Sequence, residues 1–483
     1  MPNTPLAETA VTATSIEWSV EDACTCPAIL IAAPASGQGK TTVASALARL
    51  HTRQGHRVRV FKCGPDFLDP HWHTLASGAP VHQLDLWITG EADCRARLAA
   101  AAAQADLIIV EGVMGLFDGE PSAADLAQCF GLHVLAVIDA SSMAGTFGAL
   151  AFGLQHYRSH LPWAGMLANR VASERHAAML KTSVLEPAQW LGAMMQNPAI
   201  GLPQRHLGLT VASEVGDAME RLDAAADALA ATPLGQMSLW DLKRWDVAFS
   251  VPDVVNLRAG HPPAHGQGGT SPSSKRLAGR TVAVARDAAF CFIYAANLEC
   301  LQDLGAELVF FSPLSDSALP KCDAVWLPGG YPELHAARLA ANTPMRDSLG
   351  EHIHAGKAVW AECGGMMVLF DTLITVDGKR HAQWGLLPGV VTMHRRLAAL
   401  GPQQLRLPAG TLRGHTFHYS TTDTPLQASL RSARPSTDPA PDAGEALWLH
   451  GAVRASYFHA WFASCPDAVV ALFSPPDAHV DNA

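Results

Sequence analysis

A chain of 483 residues is too long for one ordinary core, so two domains of roughly 200 residues each are expected. Nearly half of the residues are hydrophobic and 16% are charged, a balance that excludes coiled, fibrous and disordered architectures. The formal charge of −10, with no Lys/Arg-rich run, speaks against a nucleic-acid partner, and no stretch of about 18 uncharged apolar residues offers a membrane span.

Residues 1–26 lack the basic start and continuous apolar run of a signal peptide, so they are expected to be a disordered leader of a cytoplasmic protein. Cys24 and Cys26 form a C-x-C near its end, without the second pair or histidines that a metal site requires. The ten cysteines fall at scattered spacings and read as reduced thiols.

Residues 27–258 are expected to form an ATP-binding domain. Short apolar runs (AILIAA, RVRVFK, DLIIVEG, HVLAVID, AGMLANR) alternate with helical patterns, as in a doubly wound parallel sheet. The first run leads into ASGQGKTT (35–42), a strand, a small-residue turn and a helix start that together make a phosphate-binding loop. Gly37 and Gly39 allow the backbone to approach phosphates, Lys40 adds charge, Thr42 continues the helix, and the Thr41 hydroxyl can hold Mg²⁺. The usual first glycine of such a loop is replaced by Pro34 or Ala33, so the form is a variant one. Glu111, at the end of an apolar run, is a second candidate Mg²⁺ ligand. FKCGPDFLDP (61–70) brings Lys62, Asp66 and Asp69 to the same edge, with Lys62 facing phosphates and Asp66 a further metal candidate.

Glycine, proline and serine without an apolar period mark residues 259–278 as a linker. The α/β rhythm then restarts in a second domain over residues 279–470, followed by a tail over 471–483, with an exposed loop expected at 431–446. KAVWAECGGMM places Cys363 between an apolar strand and Gly364-Gly365, at an elbow that exposes a nucleophilic sulfur and whose helix start favours the thiolate. His459, in ASYFHAWF, is the candidate base.

KAVWAECGG, LPGGYPELHAARLAANTPMR, RGHTFHYS and ASYFHAWF together resemble a triad-type (class I) glutamine amidotransferase domain. Joined with ASGQGKTT, FKCGPDFLDP, VEGVMGLFDG, ANRVASERH and RHLGL in one order, they make the chain similar to the cobyrinic acid a,c-diamide synthase family from about Ala28 to Ser464. The resemblance implies a P-loop, dethiobiotin synthetase-like first domain and a flavodoxin-like second one. It implies ATP and Mg²⁺ as cofactors, L-glutamine and cobyrinic or hydrogenobyrinic acid as substrates, and leaves room for a homodimer. Cys363 would attack the glutamine amide, His459 would move the proton, and N–H groups near Gly330 and Gly364 would hold the oxyanion. Asn169 would read the adenine edge, and Arg170, Arg175, His176, Arg205 and His206 would face the acceptor's carboxylates.

The class usually carries a glutamate two residues after the histidine. Trp461 stands there, so another group or the backbone must orient His459. Tyr294, His415 and His418 read as packing or strand residues, or as lining of a passage for ammonia. Nickel-sirohydrochlorin a,c-diamide synthase and cobyric acid synthase share the architecture; KCGPDFLDP disfavours the second. A partitioning-type ATPase switch usually has a lysine where this chain has Ala35, and would have no use for Cys363.

Overall fold

The computed structural model describes residues 24–205, 208–209, 212–250, 275–435 and 444–475. The expected linker before residue 275, most of the expected leader, residues 436–443 of the expected loop and 476–483 of the expected tail lie outside the described residues, as does His206.

Ten strands belong to the first half: β1 (Cys24–Ala32), β2 (Val58–Cys63), β3 (His82–Leu84), β4 (Leu107–Glu111), β5 (His133–Asp139), β6 (Trp163–Val171), β7 (Trp190–Met195), the short ribbon β8 (Gln204–Arg205) and β9 (Gly208–Leu209), and β10 (Asp246–Phe249). Seven of them form the parallel run β3-β2-β4-β1-β5-β6-β7, and β10 pairs antiparallel with the first residues of β1. β1 therefore starts at Cys24, inside the segment expected as a leader, with Cys24 opposite Phe249 and Cys26 buried opposite Val247. The alternation of β1 explains its depth in the sheet: Leu30 and Ala32 join one apolar layer, and Ile29 and Ile31 the other. Helices α1 (Lys40–Arg53), α2 (Asp69–Ser77) and α3 (Glu91–Ala102) follow β1, β2 and β3 as crossovers.

The second half begins with β11 (Thr281–Ala285), β12 (Glu307–Phe311), β13 (Ala324–Leu327) and β14 (Ala358–Glu362). Then come β15 (Phe370–Ile374), β16 (Arg380–Ala382), β17 (Leu387–Met393), β18 (Ala399–Leu407), β19 (Gly410–His418), β20 (Ser420–Asp423), β21 (Leu430–Arg431), β22 (Ala446–His450), β23 (Val453–Ser456) and β24 (His459–Trp461). The main sheet runs β12-β11-β13-β14-β23-β22-β21, parallel as far as β23, which is the strand order of a flavodoxin-like domain with an antiparallel edge. The irregular stretch after residue 385 resolves into two small sheets, and one of them, β18-β19-β24, delivers His459.

Among the described residues no disulfide links the cysteines. No helix among the described residues is long and apolar enough to cross a membrane.

The two halves meet through named contacts. Glu299 accepts from His82 at 2.7 Å and pairs with Arg97 at 3.1 Å, Arg413 donates to the Thr89 carbonyl at 3.1 Å, and Tyr294 donates to the Pro65 carbonyl at 3.1 Å. Ile88, Tyr294 and Trp461 close an apolar patch at this junction, with the Arg97 guanidinium 5.5 Å from the Trp461 ring.

The turn after β14 allows no side chain at Gly365, where a Cβ would run into the Leu327 carbonyl oxygen of β13. Because that obstacle is backbone, Gly365→Ala should lower stability by about 1–3 kcal/mol and abolish glutamine-dependent activity. Thermal unfolding and a glutaminase assay check this, and Gly153→Ala, in open space and likewise without a positive φ, provides a comparison away from the elbow.

Candidate active sites at two sheet edges

At the carboxyl edge of the first sheet, the loop after β1 turns through left-handed Gly37 (φ 79°) and Gly39 (φ 97°) into α1. Lys40 reaches back to the carbonyls of Ala35 (3.2 Å) and Met114 (2.5 Å), which holds its ammonium over the loop. Burial, and then the like charge of Lys62, lower its pKa. The pairing of β2 with β4 sets Lys62 beside Glu111, and that of β5 with β6 sets Asp139 beside Asn169. The side chains of Thr41 and Glu111 meet at 2.6 Å. Together with Thr42, Asp66, Asp69 and Arg170 these residues line a cleft of about 470 Å³.

A buried ionic network underlies this edge. Lys62 pairs with Asp69 at 2.7 Å and with Glu111 at 3.3 Å. Burial alone would lower the Lys62 pKa, but Asp69 and Glu111 outweigh it and keep the ammonium charged. Glu111 is held at about 2: burial opposes this, and Lys62 and the His73 hydrogen bond overcome it. His73, one turn after Asp69 on α2, contacts the Glu111 carboxylate at 2.6 Å and Ser45 at 2.9 Å. Sequence reasoning missed it, although the four-residue spacing from Asp69 puts both on one helix face.

Several expectations change here. Lys62 lines the cleft as expected and is at the same time held by two carboxylates. Asn169 donates its amide to the Gln38 carbonyl at 2.9 Å and packs against Gly39, so it braces the phosphate loop. Asp66 faces the cleft but uses one carboxylate oxygen to cap its own turn, accepting from Leu68 and Asp69. Arg170, with φ of 55°, lines the cleft and is paired with Asp139 at 2.5 Å. His176 bonds the Met143 carbonyl at 2.7 Å, while the side chain of Arg205 lies outside the described residues.

At the edge of the second sheet, Cys363 sits at φ 45°, ψ −109° between β14 and the short helix Gly364–Met367. Its backbone N–H is anchored to the Ser456 carbonyl at 2.8 Å. Strain of this kind in a non-glycine residue holds the side chain at the turn's apex. The structure brings Gly330 and Gly364 together: a Cβ on Gly364 would lie 2.9 Å from the Gly330 nitrogen. His459 lies over Gly329, where a Cβ would stand 2.5 Å from its Cε1 atom.

The thiolate expected at Cys363 is not favoured. Burial pushes the thiol up, against the opposing Gly364 N–H, and a helix of four residues has little dipole to offer. His459 is depressed well below its usual range by burial and then by His415 and His418. The resting pair is therefore a neutral thiol and a neutral imidazole, the arrangement of a nucleophile that waits for its base.

His415 stacks on His459 (4.9 Å, 17°) and shares a hydrogen bond with Tyr294 at 3.2 Å, while His418 is tied to Glu445 at 3.0 Å. Glu362, which ends β14, is fully buried and pushed by that burial up to about 8. A carboxylate closing an apolar strand directly before the cysteine was a signal open to sequence reading, and it was overlooked.

Among the contacts between the two edges, one side chain reaches the candidate base. Phe67, the residue after Asp66, crosses into the second half and stacks on Tyr294 (4.3 Å) and Phe292 (4.9 Å), with its ring 5.1 Å from that of His459.

A phosphate loop with an acidic neighbour, joined through an aromatic contact to a cysteine elbow with its histidine, defines a two-domain, nucleotide-dependent glutamine amidotransferase. Comparison with known proteins agrees. Residues 29–209 match the CobQ/CobB/MinD/ParA nucleotide binding domain, and residues 281–466 match the CobB/CobQ-like glutamine amidotransferase domain. The hydrogenobyrinate a,c-diamide synthases of Pseudomonas aeruginosa and Stutzerimonas stutzeri are each 52% identical over 93% of this chain and cover 98% and 99% of their own lengths. The cobyrinate a,c-diamide synthase of Herminiimonas arsenicoxydans is 46% identical over 92% of this chain and 96% of its own. The chain belongs to the cobyrinate/hydrogenobyrinate a,c-diamide synthase family, whose members are glutamine-dependent amide ligases.

Because Glu111 is held near 2 against an ordinary 4.5, its contribution to stability is complete above 4.5 and disappears as pH falls through about 2. Glu111→Gln should remove that part of the acid-unfolding slope. It should also cost about 3 kcal/mol at neutral pH, since Lys62 keeps only Asp69 as a carboxylate partner. Unfolding midpoints measured against pH test both effects.

Proposed function

We propose that this protein amidates the a and c carboxylates of hydrogenobyrinic or cobyrinic acid, using ATP to activate each carboxylate and glutamine as the source of ammonia. The observation that carries this reading is the Asp66-Phe67 pair, one residue lining the nucleotide cleft and the next packed against the ring of His459. The names of the two relatives at 52% identity favour the metal-free acid.

Carboxylates do not condense with ammonia in neutral water, because the carboxylate is a poor electrophile and most ammonia is protonated. The first obstacle is met in the cleft. Lys40, the N–H groups around Gly37 and Gly39, and the start of α1 neutralise the phosphates while a substrate carboxylate oxygen attacks the terminal phosphorus and ADP leaves. The residues fit Mg²⁺, with Thr41 Oγ1 and Glu111 Oε1 only 2.6 Å apart at the mouth of the loop and Asp66 beside them in the cleft. Among the described residues no three His, Cys, Asp or Glu side chains cluster as a metal site, so phosphate oxygens and water would complete the shell. Bound there, Mg²⁺ would draw charge from the transferring phosphoryl group. Arg170, which lines the cleft, supplies positive charge toward the acceptor's carboxylates.

The second obstacle is met at the elbow. Cys363 Sγ bonds to the glutamine amide carbon as its proton passes to His459, and donors at Gly330 and Gly364 hold the oxygen. His459 then returns the proton to the departing nitrogen, releasing ammonia under the Phe67 ring. Water hydrolyses the thioester to glutamate, ammonia attacks the acyl phosphate, and phosphate leaves.

With Cys363→Ala, glutamine-dependent amidation should fall by about 10³-fold or more while ammonium chloride still supports it; with Lys40→Ala, both nitrogen sources should fail. Product masses after incubation with each acid, ATP, Mg²⁺ and either nitrogen source decide this. Glutamine-driven product from the Cys363 variant, or any diamide from the Lys40 variant at the native rate, overturns the reading.

Phe67→Ala opens the contact between the halves. Glutamate released per amide formed should rise severalfold as ammonia escapes to solvent, and an unchanged ratio would remove Phe67 from the transfer.

A further inference from the structure

We infer that Glu362 orients His459 through the imidazole Nδ1, as the acidic member of the catalytic set in place of a residue two positions after the histidine. The inference rests on the reading of Cys363 and His459 given above and identifies the positioning group that this reading leaves open.

Trp461 cannot take the part. An indole donates and does not accept, so it offers nothing to an Nδ1–H, and the ring is committed to the apolar junction with Ile88 and Tyr294. His415 cannot either, since it lies face to face with His459 and its Nδ1 is shared with the Tyr294 hydroxyl.

Glu362 has the geometry. One carboxylate oxygen, Oε1, is fixed by the Trp360 indole N–H at 2.6 Å and by the Ala460 N–H at 3.4 Å. That leaves Oε2, which stands 3.9 Å from His459 Nδ1. The imidazole atom it faces is buried and has no hydrogen-bond partner of its own. Two fully buried polar atoms, one acceptor and one able to donate, thus confront each other with one short movement between them. A turn of the imidazole by about 1 Å brings them to the 2.7–2.9 Å of a charge-assisted bond.

The position of Glu362 is fixed by the fold. It ends β14 in register with Ser456 of β23, and the next residue is the strained Cys363, so strand, nucleophile and orienting group are one rigid unit. A carboxylate in such a place is expensive unless it serves a charge, and no Lys or Arg is paired with it in the structure.

The chemistry follows directly. In the ionised form of Glu362, which grows as pH rises through about 8, Oε2 accepts from Nδ1–H, which leaves the lone pair of Nε2 directed at the thiol. When sulfur bonds to the amide carbon, its proton moves to Nε2, and the imidazolium so formed is balanced by the Glu362 carboxylate. The proton then leaves on the amide nitrogen as the carbon–nitrogen bond breaks, and the pair returns to its starting state.

The test uses the full chain with hydrogenobyrinic acid, ATP and Mg²⁺, and compares glutamine with ammonium chloride. Glu362→Gln should lower the glutamine-dependent kcat by about 10²–10³-fold, leave the KM for glutamine within about threefold, and leave ammonia-driven synthesis at the native rate. In the double variant Glu362→Gln/His459→Ala the rate should equal that of His459→Ala alone, because a group acting through the histidine adds nothing once the ring is gone. Glu362→Asp, which keeps the charge, should recover about tenfold over the Gln variant and guards against a loss caused by misfolding. A kcat within threefold of native for Glu362→Gln, multiplying losses in the double variant, or no gain from Asp over Gln each overturns the inference. If Cys363→Ala also leaves glutamine-dependent synthesis intact, the fault lies in the assignment of the glutaminase; if only the Glu362 variants behave as native, it lies in this inference alone.

Discussion

The segment from Gly64 to Asp69 holds the two halves of this molecule to a common purpose. Its residues alternate between partners: the Pro65 carbonyl accepts from Tyr294, Asp66 turns into the nucleotide cleft, Phe67 enters the aromatic nest of the second half, and Asp69 returns to Lys62. A chain that changes direction with each residue is held by its contacts on both sides, so neither edge can shift without the other registering it. Tight bends make this possible, with Gly64 left-handed at φ 75° and Leu68 already helical at φ −92°, ψ −50° before α2 begins. The stacked Phe67, Phe292 and Tyr294 rings lay an apolar surface between the two edges.

Burial governs the chemistry of both edges, with opposite results. Around Lys62 the ammonium and the Glu111 carboxylate survive it, while burial and the neighbouring carboxylates push Asp69 up to about 8. Around Cys363 it wins, and the nucleophile and its base rest uncharged. One consequence is that the thiol is inert until a substrate arrives to share its proton. Another is that reactivity belongs to the assembled constellation of strand, glycines and histidine more than to the sulfur itself.

Much of this was legible in the sequence because the signals were local. ASGQGKTT and KAVWAECGG each combine a strand, a tight turn and a helix start, and both motifs lie where the register of β1 and β14 puts them. The strand runs read from apolar patterning became β1, β2, β4, β5 and β6. What escaped notice depended on pairings distant in the chain. Only the pairing of β2 with β4 shows that Lys62 stands beside Glu111, and only the sheet brings the Asn169 amide to the phosphate loop. Phe67 is an ordinary apolar residue in its own motif, and only the second domain, more than 200 residues later in the chain, shows what it touches. The helix-start argument for a thiolate failed for a physical reason: it took the dipole from the pattern but could not know the helix has a single turn or how deep the sulfur lies.

The pairing of β10 with the leading residues of β1 has a consequence for how the molecule is put together. Phe249 lies opposite Cys24, at the end of the sheet farthest from the phosphate loop, and β11 likewise begins its sheet at the end away from the cysteine elbow. The chain therefore leaves the first sheet and enters the second at the ends remote from the working surfaces. Mutual alignment is left to side chains at the seam, so severing the chain between them would dilute the halves without erasing the information by which each recognises its counterpart.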